Sequence, residues 1–220
     1  MPQPGDIYVF DAFGTLFDVH SAARRHAARI GEAWPRVSEI WRGKQLEYSW
    51  IYAGLGAHMR FEDATREALQ YALTVCKLDP ALASQILPSY RALDTFEEVV
   101  FVLSALKATN GARLAILSNG DPDVLSDLID HAKLNGLFEA VISVATAGTF
   151  KPNARVYAQA CNAFDAEPSE ITFLSSNRWD IAGASAFGFV PVWVNRAGLP
   201  DEYIDLPPQR TIRDLRALLD

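Results

Sequence analysis

The run Ile7-Tyr8-Val9-Phe10-Asp11-Ala12-Phe13-Gly14-Thr15 decides how this chain is read. Four consecutive apolar residues predict a buried strand, and the glycine just beyond them predicts a turn. Asp11 then stands at the carboxyl end of a strand, on a rigid element, where open α/β sheets place their ligand crevices. The nearest acid, Asp18, lies past the turn, so the lone carboxylate suits a nucleophile better than a two-carboxylate metal cage. An Asp after a strand is also an ordinary turn residue. The pentapeptide alone does not separate the two readings.

Three later segments do. Leu117-Ser118-Asn119-Gly120 and Lys151-Pro152 each follow an apolar stretch and are expected to open a helix, with Pro122 and Pro152 in the first helical turns. Ser175-Ser176-Asn177-Arg178-Trp179-Asp180 follows the strand-like Ile171-Thr172-Phe173-Leu174. Strand ends spaced in this way converge on one crevice in an open parallel sheet.

Working outward, strands are predicted over 7–10, 113–117, 140–144, 171–174 and 190–194, with helix-like stretches between the last four. Residues 19–31, 36–55, 61–78 and 80–92 predict nearly continuous helix, punctuated by Pro35, Gly54-Leu55-Gly56 and Asp79-Pro80. A helical block between the first two strands reads as a lid over the crevice. Residues 211–219 predict a closing amphipathic helix. The fold class expected is therefore α/β. A parallel-sheet core would span 1–17 and 94–220, and a helical cap 18–93.

Bulk properties narrow the function. The chain has 220 residues, half of them hydrophobic, enough for one sizeable core with an insertion. Twenty basic against 27 acidic residues give a net charge of −7, and no basic run occurs, which argues against nucleic acid and anionic membranes as partners. Cys76 and Cys161 are far apart without metal-type spacing and read as reduced core residues. No charged-then-apolar leader pattern and no membrane-length apolar run are evident, so a cytoplasmic location is expected. The four histidines, His20, His26, His58 and His131, fall outside every motif and read as surface or lid residues.

Taken in order, Asp11 to Thr15, Ser118 in Leu-Ser-Asn-Gly, Lys151-Pro152 and Asp180 resemble the motifs of the haloacid dehalogenase superfamily. The lid segment Trp41-Arg42-Gly43-Lys44-Gln45-Leu46-Glu47-Tyr48-Ser49-Trp50 and the Ser-Ser-Asn-x-Trp-Asp box narrow the resemblance to its (S)-2-haloacid dehalogenases. The resemblance spans nearly the whole chain and implies a Rossmann-like core with a helical cap. It implies hydrolysis of (S)-2-haloacids to (R)-2-hydroxyacids and halide through an ester on Asp11, without metal or other cofactor. Two positions depart from the commonest pattern: Phe13, where Tyr is frequent, and Arg178, where a small residue is common. Both bear on pocket shape.

The roles implied are these. Asp11 attacks, Thr15 fixes its rotamer, and Lys151 supplies the neighbouring cation. Ser118, with the amides of Ala12, Phe13 and Asn119, holds the substrate carboxylate. Arg42 comes down from the lid and receives the halide with Asn119. Leu46, Phe61, Phe13 and Trp179 wall the alkyl group, with ordinary core packing as the alternative. Asp180, Asn177, Ser175 and Lys151 position the hydrolytic water, and Tyr157 orients that network. The resemblance also implies a homodimer, for which the lid aromatics Trp41, Tyr48, Trp50 and Tyr52 offer surface. Three other readings remain open: ring opening of an azetidine-2-carboxylate-like acid, a phosphatase, and a non-catalytic binding module. Phe13 weakens the second, because it occupies the place of the acid that protonates a phosphatase's leaving group.

Overall fold

A computed structural model describes residues 6–220. Its centre is β1 (Ile7–Phe10), a strand buried along its whole length. Around it lie β2 (Arg113–Ser118), β3 (Ala140–Ser143), β4 (Ile171–Ser175), β5 (Val190–Val194) and β6 (Arg210–Ile212). The strand order is β3-β2-β1-β4-β5-β6, and every pairing is parallel. Such a sheet needs cover on both faces, which explains why β1, β2, β4 and β5 are apolar runs with no polar alternation. The order reverses at β1, so the carboxyl ends of β1, β2 and β4 bound the switch-point crevice.

The helices follow in chain order. Among the described residues five lie between β1 and the returning crossing at Thr95: α1 (Ser21–Arg25), α2 (Ala27–Ile30), α3 (Trp34–Leu55), α4 (Phe61–Val75) and α5 (Ala83–Ile86). The other four, α6 (Val99–Asn110), α7 (Pro122–His131), α8 (Ala154–Phe164) and α9 (Arg178–Phe187), are the crossovers between strands. The fold is thus α/β with helices inserted between β1 and β2. Pro35 lies in the first turn of α3 and starts that helix, which begins two residues earlier than the sequence indicates. The predicted helix over 19–31 breaks at His26. The stretch 80–92 divides into a 3-10 turn (Pro80–Leu82), α5 and a second 3-10 segment (Leu87–Ala92), each 3-10 piece with a proline at its first or second position.

Two further expectations need correction. The predicted helix over 211–219 is instead β6, paired to β5, followed by a single 3-10 turn at Leu215–Leu218. Asp214 caps that turn by accepting from the Arg216 amide at 2.8 Å. Leu215 and Leu218 are spaced i, i+3, which one 3-10 turn buries as well as an α-helix does. Nor does Pro152 stand in a first helical turn: Asn153 caps α8, accepting from the Arg155 amide at 3.0 Å, and the helix starts at Ala154. Cys76 and Cys161 are only partly buried, as free thiols packed against the core's edge.

The chain leaves and re-enters the sheet layer along two abutting crossings. Phe17 bridges Thr95 antiparallel, the Asp18 amide donates to the Asp94 carbonyl at 2.8 Å, and the Phe96 amide donates to Leu16 at 3.2 Å. We propose these crossings as the boundary between the core (1–17 and 94–220) and the cap (18–93); residues 1–5 lie outside the described residues. Cap and α7 are joined electrostatically. Arg91 reaches Glu62 at 2.8 Å, Asp123 at 2.7 Å and Asp127 at 2.6 Å, while the Glu62 amide donates to Asp121 at 2.8 Å. Arg91 is the hub of a partly exposed network, so its truncation is expected to cost about 1 kcal/mol and about 2–4 °C in Tm. Thermal denaturation of Arg91→Ala at low and high salt checks this, and the difference from the parent protein shrinks as salt rises.

Candidate active site

The site is built on the turn after β1. The Asp11 amide donates to Leu174 on β4 at 2.8 Å, which extends the sheet up to the carboxylate. The Ala12 carbonyl then accepts from the amides of Thr15, Leu16 and Phe17, folding the chain back at once. Gly14 makes this possible: its φ of +90° is a conformation that residues with a Cβ rarely adopt. The turn leaves the amides of Ala12 and Phe13, and that of Asn119 beside them, donating to no group among the described residues.

Asp11 is only 5% exposed and its two oxygens differ sharply. Oδ2 accepts from Thr15 Oγ1 at 2.9 Å, Asn177 Nδ2 at 2.8 Å and Ser175 Oγ at 3.3 Å. Among the described residues Oδ1 takes Lys151 Nζ alone, at 3.1 Å. Thr15 also receives the Ser176 amide at 2.8 Å, so the β1 and β4 turns are locked to each other. Lys151 is fully buried; its ammonium lies 3.1 Å from Asp11 and 2.9 Å from Asp180 Oδ2, with the Phe173 ring 4.9 Å beneath. Asp180 itself has no exposed surface and sits in the first turn of α9.

Burial pushes the Asp180 carboxyl above the usual carboxylate range, with Lys151 pulling against it and Asp11 adding to the rise. Its Oδ1 accepts from the Tyr157 hydroxyl at 2.7 Å. Burial, then the charge of Asp180, hold that hydroxyl well above its ordinary value, so Tyr157 remains a donor. Among the described residues no group of three or more His, Cys, Asp or Glu is disposed around a common metal position. The ground between Asp11 and Asp180 belongs to the Lys151 ammonium.

Arg42 descends from α3 onto this floor. Its NH2 donates to the Phe13 carbonyl and to Asn177 Oδ1, both at 3.2 Å, and its NH1 donates to Gln45 Oε1 at 2.8 Å. Ser118, at the end of β2, is fully buried and accepts from the Gly120 amide at 3.0 Å. The Asn119 carboxamide accepts from the Lys151 amide at 3.0 Å. Gly120 lets this turn approach the first: a Cβ there would stand 2.8 Å from the Phe13 ring. Phe13 lies between Phe61 and Tyr90, each ring centroid 5.4 Å away. Leu46, one turn beyond Arg42, is half-buried. Trp179 packs edge-on against Trp50 at 5.4 Å and lines a groove of about 820 Å³ with Trp50, Pro152 and Tyr203.

The structure therefore brings Asp11, Thr15, Arg42, Lys151, Tyr157, Ser175, Asn177 and Asp180 into one hydrogen-bonded cluster, with Ser118, Asn119 and Phe13 on the adjoining turns. Arg178 turns away from it. Its guanidinium reaches Asp201 at 2.6 Å and the carbonyls of Tyr203 at 3.2 Å and Leu206 at 3.0 Å, fastening the 201–206 loop. Sequence reasoning missed Gln45, Thr65 and Tyr90. Gln45 and Tyr90 each touch Arg42 or Phe13, and Thr65 Oγ1 holds the Gln45 amide at 2.5 Å. The available signal was a polar residue one helical turn after Trp41 and one before Ser49, on the face α3 buries.

Comparison with known proteins identifies the family. The sequence family described as haloacid dehalogenase-like hydrolase matches residues 6–188, and the chain belongs to that family. (S)-2-haloacid dehalogenase 1 of Pseudomonas sp. (strain CBS-3) is 41% identical over 212 residues, covering 96% of this chain and 93% of the relative. A solved structure described as a dehalogenase superposes with a TM-score of 0.95 at 35% identity, covering 99% of this chain and 97% of that one. The L-2-haloacid dehalogenase from Xanthobacter autotrophicus with chloropropionic acid covalently bound gives 0.88 at 33% identity, covering 97% and 96%.

Gly183 on α9 supplies a direct test of the Tyr157–Asp180 contact. A methyl there would collide with the Tyr157 hydroxyl and stand 2.7 Å from Pro152 Cβ. Gly183→Ala is expected to lose about 1–3 kcal/mol by overpacking. Turnover should fall with it, as Tyr157 is displaced from Asp180. Urea denaturation and steady-state kinetics on the same preparation check both.

Proposed function

We infer that this protein is a hydrolase that converts (S)-2-haloacids to (R)-2-hydroxyacids and halide through an ester on Asp11. The observation that carries the reading is the asymmetry of the Asp11 carboxylate. Among the described residues three donors pin Oδ2, while Oδ1 faces Lys151 alone and keeps lone pairs for attack. Rigid orientation of this kind makes the displacement effectively unimolecular, with the attacking oxygen already aimed.

In the first half-reaction Oδ1 forms a bond to C2 of the substrate as the carbon–halogen bond breaks, its electron pair leaving with the halide. The substrate carboxylate is held by Ser118 and the free amides of Ala12, Phe13 and Asn119. Charge-assisted contacts of this sort are worth about 1.5–3 kcal/mol each. Arg42 and Asn119 receive the departing anion. Phe61, Phe13, Leu46 and Trp179 flank the alkyl group.

In the second half-reaction water attacks the Asp11 carboxyl carbon, Asp180 accepting its proton with Lys151, Asn177 and Ser175 holding the geometry. The bond between that carbon and the ester oxygen breaks, and the product hydroxyl takes up a proton. One oxygen of Asp11 is exchanged for solvent oxygen, and C2 is inverted only once. Tyr157 keeps Asp180 oriented. No step calls for a metal or other cofactor, since Lys151 already supplies the positive charge between the two carboxylates.

The substrate is thus a small 2-haloacid, with halide as the second product. No helix of the described residues is long and apolar enough to cross a membrane. A cytoplasmic location and a homodimer complete the proposal. The exposed Trp50, Ile51 and Leu55 on α3 support the dimer, whereas Trp41 turns inward to donate to Thr65 and offers no surface.

Asp11→Asn is expected to abolish turnover, and a fully active variant overturns the covalent route. A single turnover of wild-type enzyme in ¹⁸O-water should label Asp11 before product, as read by peptide mass spectrometry; EDTA should leave halide release unchanged. The pH dependence follows from Asp180. Its carboxyl titrates above the ordinary range, and the protonated form cannot accept from water. The acid limb of kcat should therefore lie above the value near 3.9 of a free aspartate. A limb at or below that value rules out Asp180 as the base.

A further inference from the structure

The NH1 group of Arg42 is held by one neutral acceptor, and that acceptor can face it in only one way. Gln45 Oε1 takes Arg42 NH1 at 2.8 Å, and Gln45 Nε2 donates to Thr65 Oγ1 at 2.5 Å. Thr65 in turn spends its hydroxyl proton on the Phe61 carbonyl at 2.7 Å. Donors thus run in one direction, from Arg42 through Gln45 and Thr65 to the backbone of α4. Reversing the Gln45 amide would set its nitrogen against a guanidinium that cannot accept, and its oxygen against a hydroxyl already committed. Gln45, Thr65 and Tyr90 are all buried, so a misdirected amide here is costly.

Tyr90 closes the arrangement. Its hydroxyl lies 3.0 Å from Gln45 Nε2 and 3.1 Å from Oε1, and its ring stacks at 25° on Phe13. Burial raises its pKa, so the hydroxyl stays neutral. No carboxylate pairs with Arg42 among the described residues: its guanidinium faces the Gln45 amide, the Phe13 carbonyl, the Asn177 amide and the Tyr90 hydroxyl, all of them neutral. A carboxylate in place of Gln45 would hold the guanidinium more tightly and cancel its charge.

We propose that Gln45, oriented by Thr65 and Tyr90, is a positioning residue that fixes the Arg42 guanidinium while leaving its positive charge uncompensated for the departing halide. This rests on the reading of Arg42 as the halide-receiving residue. It reaches further, because it places the control of leaving-group preference in a buried cap network that never touches substrate.

The test compares wild type, Gln45→Glu, Gln45→Leu, Thr65→Val and Arg42→Lys with 2-chloro- and 2-bromopropionate. Alkylation and ester hydrolysis are separated by rapid quench, with inhibition by added bromide as a second readout. Gln45→Glu is expected to slow alkylation by chloropropionate about ten-fold or more, to slow bromopropionate less, and to weaken bromide inhibition to a similar degree. Ester hydrolysis should be unchanged. Gln45→Leu and Thr65→Val should shift the chloro-to-bromo ratio in the same direction. Gln45→Glu keeps the size and polar edge of Gln45, and matched Tm values serve as the folding control. A ratio and a bromide inhibition unchanged in both Gln45 variants, but altered in Arg42→Lys, overturn the proposal and leave Arg42 in place. If Arg42→Lys alters neither, the reading beneath it fails as well.

Discussion

A single buried ammonium organises the centre of this molecule. Lys151 has no exposed surface and lies about equally far from Asp11 and Asp180. An isolated charge in that position would be untenable; two carboxylates within hydrogen-bond reach make it stable, and each carboxylate depends on the ammonium in return. Removing one member of such a buried set leaves its partners uncompensated, at a cost of about 3–5 kcal/mol. Stability and chemistry are therefore coupled here. The charges that make the nucleophile available are the ones the core cannot lose singly.

That constraint explains the surrounding scaffold. Asp11 comes from the end of β1, Ser175 and Asn177 from the end of β4, and Lys151 from the loop leading into α8. Only a parallel sheet with its switch point at β1 brings these ends together, and the backbone bond from Asp11 to Leu174 fixes their relative height. Tyr157, fully buried within a ring cluster with Phe173, Phe187 and Phe189, closes the far side of Asp180. Arg196 supports the turn from below, donating to the Thr15 carbonyl at 2.9 Å while paired with the buried Glu98 at 2.6 Å.

Much of this was legible in the residues. The five strands with clear apolar runs were placed to within a residue, because a parallel strand buried on both faces writes itself as an uninterrupted apolar string. Asp11, Ser118 and Ser175 stand out because each ends such a string, whereas Arg42 and Tyr157 lie within helices α3 and α8 and follow from the family resemblance alone. Elements without that signature were lost: β6 has two exposed residues in three, and Leu215 with Leu218 mimics a helix. Arg178 was expected to bear on the pocket, yet its position at the head of α9 aims it at the 201–206 loop. Gln45, Thr65 and Tyr90 were invisible for another reason. A buried hydrogen-bonded network joins residues 20 and 45 positions apart, and no local periodicity records such partners.

The paired crossings at Phe17 and Thr95 carry one more implication. The two ends of the helical insert lie within backbone hydrogen-bonding distance of each other. To the sheet, everything between them is a loop whose mouth is already closed, and the entropy of lengthening a closed loop grows only slowly with its length. The insert can be exchanged, enlarged or trimmed over evolutionary time without shifting the strand that bears Asp11. Substrate range and leaving-group taste can then drift in one module while the bond-making apparatus stays fixed in the other.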